Sequence, residues 1–263
     1  MQRLNHLIEG EGDPLLLIHG MGSASTAWKL IKSELISDYK VITVDLPGHG
    51  ETLLVEGSAM DPNSLARYVL YELDELGIER FDVCGNSLGG WVALELAALA
   101  PNRINSVIGL APAGLWLHPY NVRYPATALA RFVAKYTAKI APTALHFEWA
   151  RALGFWDMSP RWREFSYQLC LDAVEAMGKA DGYYPAWDGM LMKRFDGKIS
   201  SEIPVTIIFG DTDRTLPATN CQERSVAPSH ARWIIFPETG HAPMWDSPSD
   251  VVAAIRQTTR IRK

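Results

Sequence analysis

The stretch FDVCGNSLGGWVAL, residues 81–94, decides how this chain is read. It passes from a short apolar run through Gly85, Gly89 and Gly90, crowded around Ser87, and straight into a helical pattern. Glycine is needed where a backbone turns tightly or approaches another backbone closely. The spacing Gly85-x-Ser87-x-Gly89 therefore predicts a sharp strand-to-helix turn that pushes one hydroxyl into a cleft. The context carries more weight than the pentapeptide: RFDVC reads as a strand before the serine, and LGGWVALELAALA as a helix after it. A serine at a helix N-terminus has backbone N–H groups and the positive end of the helix dipole aimed at developing negative charge. The chain has no G-x-x-x-x-G-K-[ST], so these glycines do not form a phosphate-binding loop.

Working outward, PLLLIHG, KVITVDLPG, FDVCGNS, NSVIGLAPAG, PVTIIFGD and ARWIIFPETG are short apolar runs closed by turn residues. Continuous rather than alternating hydrophobicity is what a strand buried on both faces requires. The expectation is an α/β fold with a mostly parallel sheet between helices. LNHLIEG followed by EGD offers an antiparallel opening hairpin. DPNSLARYVLYELDELG predicts a helix with Asp61 as N-cap, Pro62 at the first helical position and Gly77 at its end. SPSDVVAAIRQTTRI predicts another.

This rhythm stops between Leu115 and Lys198, where no buried-strand run occurs and five of the nine tryptophans lie: Trp116, Trp149, Trp156, Trp162 and Trp187. An interval that long needs structure of its own. The expected organisation is a core of residues 1–114 and 199–263, with 115–198 inserted as a helical lid over an apolar pocket.

The formal charge of −5 and the absence of any Lys/Arg run beyond the terminal RIRK argue against nucleic acid or an anionic membrane surface as partner. The N-terminus has no apolar stretch ahead of its charges, and no segment approaches a membrane span. Cys84, Cys170 and Cys221 are far apart and form no metal-ligand spacing, which suits reduced thiols. A cytoplasmic chain without metal or organic cofactor is expected, acting on a small molecule, with a homodimer as a further possibility.

A serine hydroxyl becomes a useful nucleophile only when a base takes its proton and an acid orients that base. Downstream, Asp211 and Asp213 follow the run PVTIIFG, and His241 follows the next run, ARWIIF. The other histidines lie at the terminus, in the lid, in a loop or in early motifs. Acyl transfer also needs prepositioned donors for an oxyanion. The amide of Leu88, directly after the serine, is one candidate; that of Met21, in the HGMG loop after an early strand, is the other. His19 is expected to orient that loop, and Gly48, His49 and Gly50 to serve a structural turn. Trp28, Asn86, Trp116 and Met244 adjoin the motif residues and are candidate pocket neighbours.

HGMG, DLPGHG, GNSLGG, GDTDRTLP and GHAPMWDSP stand in the order and approximate spacing of the α/β-hydrolase superfamily, which this chain resembles over nearly all its length outside the lid. The resemblance implies an eight-stranded, mostly parallel sheet with a helical lid. It also selects Asp213, three residues beyond Gly210 and followed by Pro217, as the acid. It implies a catalytic set of Ser87, Asp213 and His241, with Met21 and Leu88 as the oxyanion hole. Serine at position 87 excludes the members with a carboxylate nucleophile. GNSLGG, with its Asn86, is similar to the elbow of the meta-cleavage-product C–C hydrolases. The chain departs from them in GMGSAS, where they carry G-P-G, and in Ala242, where they carry tryptophan. Carboxylesterases, lactonases and perhydrolase-like enzymes share the remaining motifs. The aromatic lid and lack of a basic cluster favour a small to medium, largely apolar ester or lactone. C–C hydrolysis, perhydrolase chemistry and a ligand-binding sensor on the same scaffold are the alternatives.

Overall fold

The computed structural model describes residues 1–123 and 125–260; the end of the RIRK tail lies outside them. Seven strands form one sheet: β1 (His6–Glu9), β2 (Asp13–Ile18), β3 (Tyr39–Val44), β4 (Phe81–Asn86), β5 (Ile104–Leu110), β6 (Val205–Gly210) and β7 (Arg232–Phe236). Their order across the sheet is β1-β3-β2-β4-β5-β6-β7. All pairings are parallel except that of β1 with β3.

Two expectations change here. Among the described residues the sheet has seven strands rather than eight. The opening hairpin is also absent, because β2 is already paired on one side with β3 and on the other with β4. β1 instead lies antiparallel along the free edge of β3, His6 opposite Val44. The chain reverses between β1 and β2 through Gly10 and Gly12, both at positive φ. A Cβ on Gly10 would lie 2.4 Å from the Tyr39 carbonyl oxygen, so that crossing tolerates no side chain.

Helices complete the layers: α1 (Lys29–Leu35), α2 (Pro62–Glu75), α3 (Leu88–Leu99), α4 (Pro125–Thr137), α5 (Ala141–Ala144), α6 (Glu148–Phe155), α7 (Tyr167–Lys179), α8 (Tyr183–Met190), α9 (Ala218–Cys221), α10 (Pro243–Asp246) and α11 (Pro248–Arg260). The start of α2 follows its sequence signals: the Asp61 carboxylate accepts from the Ser64 amide at 3.3 Å and Pro62 opens the first turn. Gly77 then ends it at φ +66.

Strand side chains alternate between two fully buried layers, which is why the runs read as continuously apolar. Leu16, Ile18 and Val83 pack with α2, α3 and α8 on one face. Leu15, Leu17 and Cys84 pack with Trp28, α1 and α11 on the other. Burying one such leucine contributes about 1.5–3 kcal/mol. No described helix is long and apolar enough to cross a membrane.

Between β5 and β6 the described residues contain no strand; α4 to α8 occupy the connection. It packs side chains into both core layers, among them Tyr183, Trp187 and Met190 on one side and Trp162, Phe165 and Leu169 on the other, and polar bonds fix it at specific places. The Met158 carbonyl accepts from the His241 amide at 2.8 Å. The Gly182 amide donates to Gly48 O, also at 2.8 Å. Ser159 Oγ donates to the buried Asp246 carboxylate, whose second oxygen accepts from the Gly240 amide at 2.7 Å.

Candidate active site

Ser87 stands between β4 and α3 at φ 53° and ψ −116°, a backbone conformation that L-residues seldom adopt. Such strain, roughly 1–3 kcal/mol, persists only where surrounding bonds impose it. Here the Ser87 amide donates to Leu110 O at 2.9 Å, and its carbonyl accepts from Ala113 at 2.9 Å and Trp91 at 3.1 Å. The glycines around it are required sterically. A Cβ on Gly85 would lie 2.1 Å from Gly89 O, and one on Gly89 would lie 2.1 Å from Ile18 O. Gly90 would press a Cβ to 2.8 Å from the Pro112 backbone.

His241 follows β7, and Asp213 follows β6. His241 Nδ1 lies 2.9 Å from Asp213 Oδ2, while Asp213 Oδ1 accepts from the Leu216 amide at 2.8 Å. The Asp213 side chain has no solvent exposure, so its hydrogen bond to the imidazole is shielded from water. An acid in that position keeps the proton on Nδ1 and leaves Nε2 free to act as base. The histidine is also fixed through its backbone: its amide bonds Met158 O, and its carbonyl accepts from Asn86 Nδ2 at 3.1 Å. Asn86 directly precedes the serine, so this bond ties the loop of the base to the turn of the nucleophile. Asp211, the competing acid, is exposed and accepts instead from the Thr239 amide at 3.3 Å.

The residues of the two candidate oxyanion donors, Met21 and Leu88, line the same cavity as Ser87. Leu88 opens α3, where a first-turn amide has no intrahelical acceptor. Met21 lies in the loop after β2; among the described residues neither its amide nor that of Leu88 makes a hydrogen bond. That loop approaches the serine closely, since a Cβ on Gly20 would stand 3.2 Å from Ser87 Cβ. His19 sets its course: Nδ1 lies 2.7 Å from Gly20 O, and Nε2 accepts from the Leu46 amide at 3.0 Å. Burial holds the His19 imidazole below its ordinary pKa, in the neutral form these two bonds require.

A cavity of about 170 Å³ opens beside Ser87 and is lined by Met21 and Leu88, by Trp116, Tyr120, Trp187 and Met190 from the β5–β6 connection, and by Arg214 to Pro217 and Asn220. Trp116 and Tyr120 meet edge to face at 5.1 Å, and Tyr120 and Trp187 at 5.9 Å, which makes one wall aromatic. Of the expected pocket neighbours, Trp116 lines this space. Trp28 and Met244 do not: both are packed in the core layer on the other side of the sheet, with α1 and α11. Asn86 does not line it either, because its amide is turned to Leu110 O and His241 O. Adjacency to a motif in sequence does not fix which face a side chain takes.

Tyr120, Trp187, Met190 and the segment Arg214–Asn220 were not singled out from the sequence. Arg214 to Pro217 were within reach, because they immediately follow Asp213 in GDTDRTLP. Tyr120 and Trp187 carried no periodic signal that separates them from the other aromatics. The cysteines take no part in this arrangement. Burial raises the Cys84 and Cys221 thiols and brings Cys170 up to about 11, so all three stay protonated and unreactive. Among the described residues no cluster of His, Cys, Asp and Glu could hold a metal.

The family model described as "Alpha/beta hydrolase family" matches residues 15–255. The chain belongs to that family, and its place in it is that of a hydrolase-type member. An uncharacterised protein of Mycobacterium tuberculosis is 29% identical over 96% of this chain and 77% of its own length. The pimeloyl-[acyl-carrier protein] methyl ester esterase of Aliivibrio salmonicida is 27% identical over 89% of this chain and 87% of its own. Among solved structures, a thermophilic esterase from Thermogutta terrifontis superposes with a TM-score of 0.76 at 22% identity, over 98% of this chain and 93% of that one.

Proposed function

We propose that the protein is a serine hydrolase cleaving small carboxylic esters or lactones through an acyl-enzyme. What supports this reading is Ser87, strained at the head of α3 and sharing a cavity with Met21 and Leu88, together with the buried His241–Asp213 pair, whose histidine carbonyl is bonded by Asn86, the residue before the serine. In the first half-reaction Ser87 Oγ attacks the carbonyl carbon and its proton passes to His241 Nε2. The oxyanion that forms is held by the Met21 and Leu88 N–H groups. Collapse breaks the bond to the alcohol oxygen, which leaves with the proton from His241. Water then gives its proton to His241, attacks the acyl carbon, and releases the acid as the proton returns to Ser87 Oγ. Asp213 stays ionised and compensates the transient imidazolium.

Residues 115–198 serve as the lid in this reading: they supply the aromatic wall and rest on the histidine loop at Met158 and Ser159. A cavity of about 170 Å³ lies below the usual range of about 300–1,000 Å³ for ligand pockets, which favours short acyl groups. The similarity to a methyl ester esterase also supports ester cleavage.

The test is hydrolysis of p-nitrophenyl esters from acetate to decanoate by the wild type and Ser87→Ala, with fluorophosphonate labelling of Ser87. The expected result is turnover greatest at acetate to butyrate, lost in the variant, and labelling of wild type alone. A wild type that turns over no ester and resists the probe would overturn the proposal.

A further inference from the structure

The cavity beside Ser87 has two unlike walls. One is aromatic and apolar; the other, from the segment after β6, presents Arg214, Thr215 and Asn220. Among the described residues Arg214 makes no ion pair with a carboxylate, and it is the arginine that lines this cavity. Its guanidinium is nevertheless held in place: it lies 5.1 Å from the Trp156 ring centroid, and Nη1 donates to the Trp156 carbonyl at 3.3 Å. Stacking of this kind fixes the plane of the fork and reduces the rotamer freedom that binding would otherwise remove. One bond to a carbonyl leaves most of the five N–H donors uncommitted.

We infer that the substrate is a small ester or lactone with a carboxylate at the end remote from the scissile bond, and that Arg214 binds that carboxylate while Ser87 attacks the carbonyl. The inference rests on the serine hydrolase proposal for the same cavity and adds the chemical class of its substrate. A single planar fork matches a carboxylate in a bidentate pair. With a chain charge of −5 and one arginine on the cavity wall, a polyanion would meet too little positive charge, whereas a monoanion is matched. The small volume sets the length: the carboxylate and the reacting carbonyl are separated by a few methylenes lying against Trp116, Tyr120 and Trp187. Thr215 and Asn220 lie on the same wall and offer a hydroxyl and an amide to the second carboxylate oxygen.

The test compares kcat/KM for monomethyl glutarate, an anion, with that for dimethyl glutarate, its neutral counterpart. The ratio of anion to neutral ester should exceed one in the wild type and fall by about tenfold or more in Arg214→Gln, the scale of one charge-assisted hydrogen bond. Arg214→Lys should give an intermediate ratio, and added salt should shrink the wild-type ratio. A wild-type ratio at or below one, or the same ratio in all three proteins, would overturn the inference. Tryptophan fluorescence of Ser87→Ala titrated with glutarate and with glutaramide, its neutral diamide, reads the subsite without chemistry. Preference for glutarate that vanishes in the Ser87→Ala, Arg214→Gln double variant supports the subsite even if the wild type also turns over no p-nitrophenyl ester and resists the fluorophosphonate probe, in which case the serine hydrolase proposal alone falls. No preference for glutarate overturns the subsite alone.

Discussion

Gly89 and Gly154 both lie inside helices, and the space around them could hardly differ more. In α3 a Cβ on Gly89 would enter the Ile18 and His19 carbonyls at 2.1 and 2.5 Å; in α6 a Cβ on Gly154 would meet nothing within 4 Å. The contrast holds for the regions around them. Backbone crowds the glycines of the turn at Ser87, while the serine itself faces the cavity, and α3 buries nearly all its side chains. The β5–β6 connection leaves Phe132, Tyr136, Trp149, Leu153 and Trp156 largely exposed. In the first region backbone contacts dictate the residues. In the second, surface and cavity use do.

The largest effect is expected where the buried frame touches the chemistry. Asp213→Asn keeps the shape of the site but replaces the acceptor that holds the proton on His241 Nδ1, so ester turnover should fall about 10⁴-fold. Steady-state kinetics with p-nitrophenyl acetate reads this directly. A drop of less than tenfold would mean that another carboxylate, Asp211 being nearest in sequence, orients the base.

Gly89→Ala comes next. Alanine is the better helix former by about 1 kcal/mol, so propensity alone predicts a gain. The clash with two backbone oxygens cannot be relieved by a rotamer change, and a net loss of roughly 3 kcal/mol or more is expected. Urea denaturation of purified protein checks it; a neutral result would show that β2 and α3 can separate without cost.

The same division explains what the sequence could disclose. Six apolar runs became β2 to β7, and the glycine spacing gave away the elbow, because a hard-sphere constraint leaves few alternative residues. The pairing of β1 was hidden, since a four-residue strand does not state its partner; that depended on which sheet edge was free. Trp28 and Met244 were misplaced because each sits in a short helix that follows a motif loop and turns back into the layer with α1 and α11, so nearness in sequence to the motif does not put them at the cavity. Trp187 reaches the cavity only because the connection folds back over the sheet, a long-range fact with no local periodicity.

His49 lies where the two regions join, under Gly182, whose Cβ would approach its ring to 3.0 Å. Nδ1 is 3.0 Å from Pro47 O, and Nε2 is buried among the described residues without a hydrogen-bond partner. Burial, with a smaller contribution from His19, lowers its pKa from 6.5 to about 3. The unfolded chain therefore binds a proton below pH 6.5 that the folded chain does not accept until about pH 3. Stability from this group is complete above pH 6.5 and is lost as pH falls, by about 2 kcal/mol at pH 5. His49→Asn removes the titration and should make the decline between pH 7 and 5 shallower in urea denaturation. An unchanged slope would place the acid sensitivity elsewhere, with the buried His19 as the next group to replace.

The smallest effect sharpens the opening contrast most. Gly154→Ala makes the same chemical change as Gly89→Ala, in a helix whose glycine has open space and no positive φ. Helix propensity is then the only term left, and a gain of about 0.5–1 kcal/mol is expected. The gain should appear in denaturation only if α6 unfolds together with the sheet. If the connection melts separately, the stabilisation will move the first of two transitions and leave the second in place. One glycine thus measures whether the packing of the connection into both core layers, with its bonds at Met158, Ser159 and Gly182, couples it to the sheet, or whether it opens above Ser87 as a unit of its own.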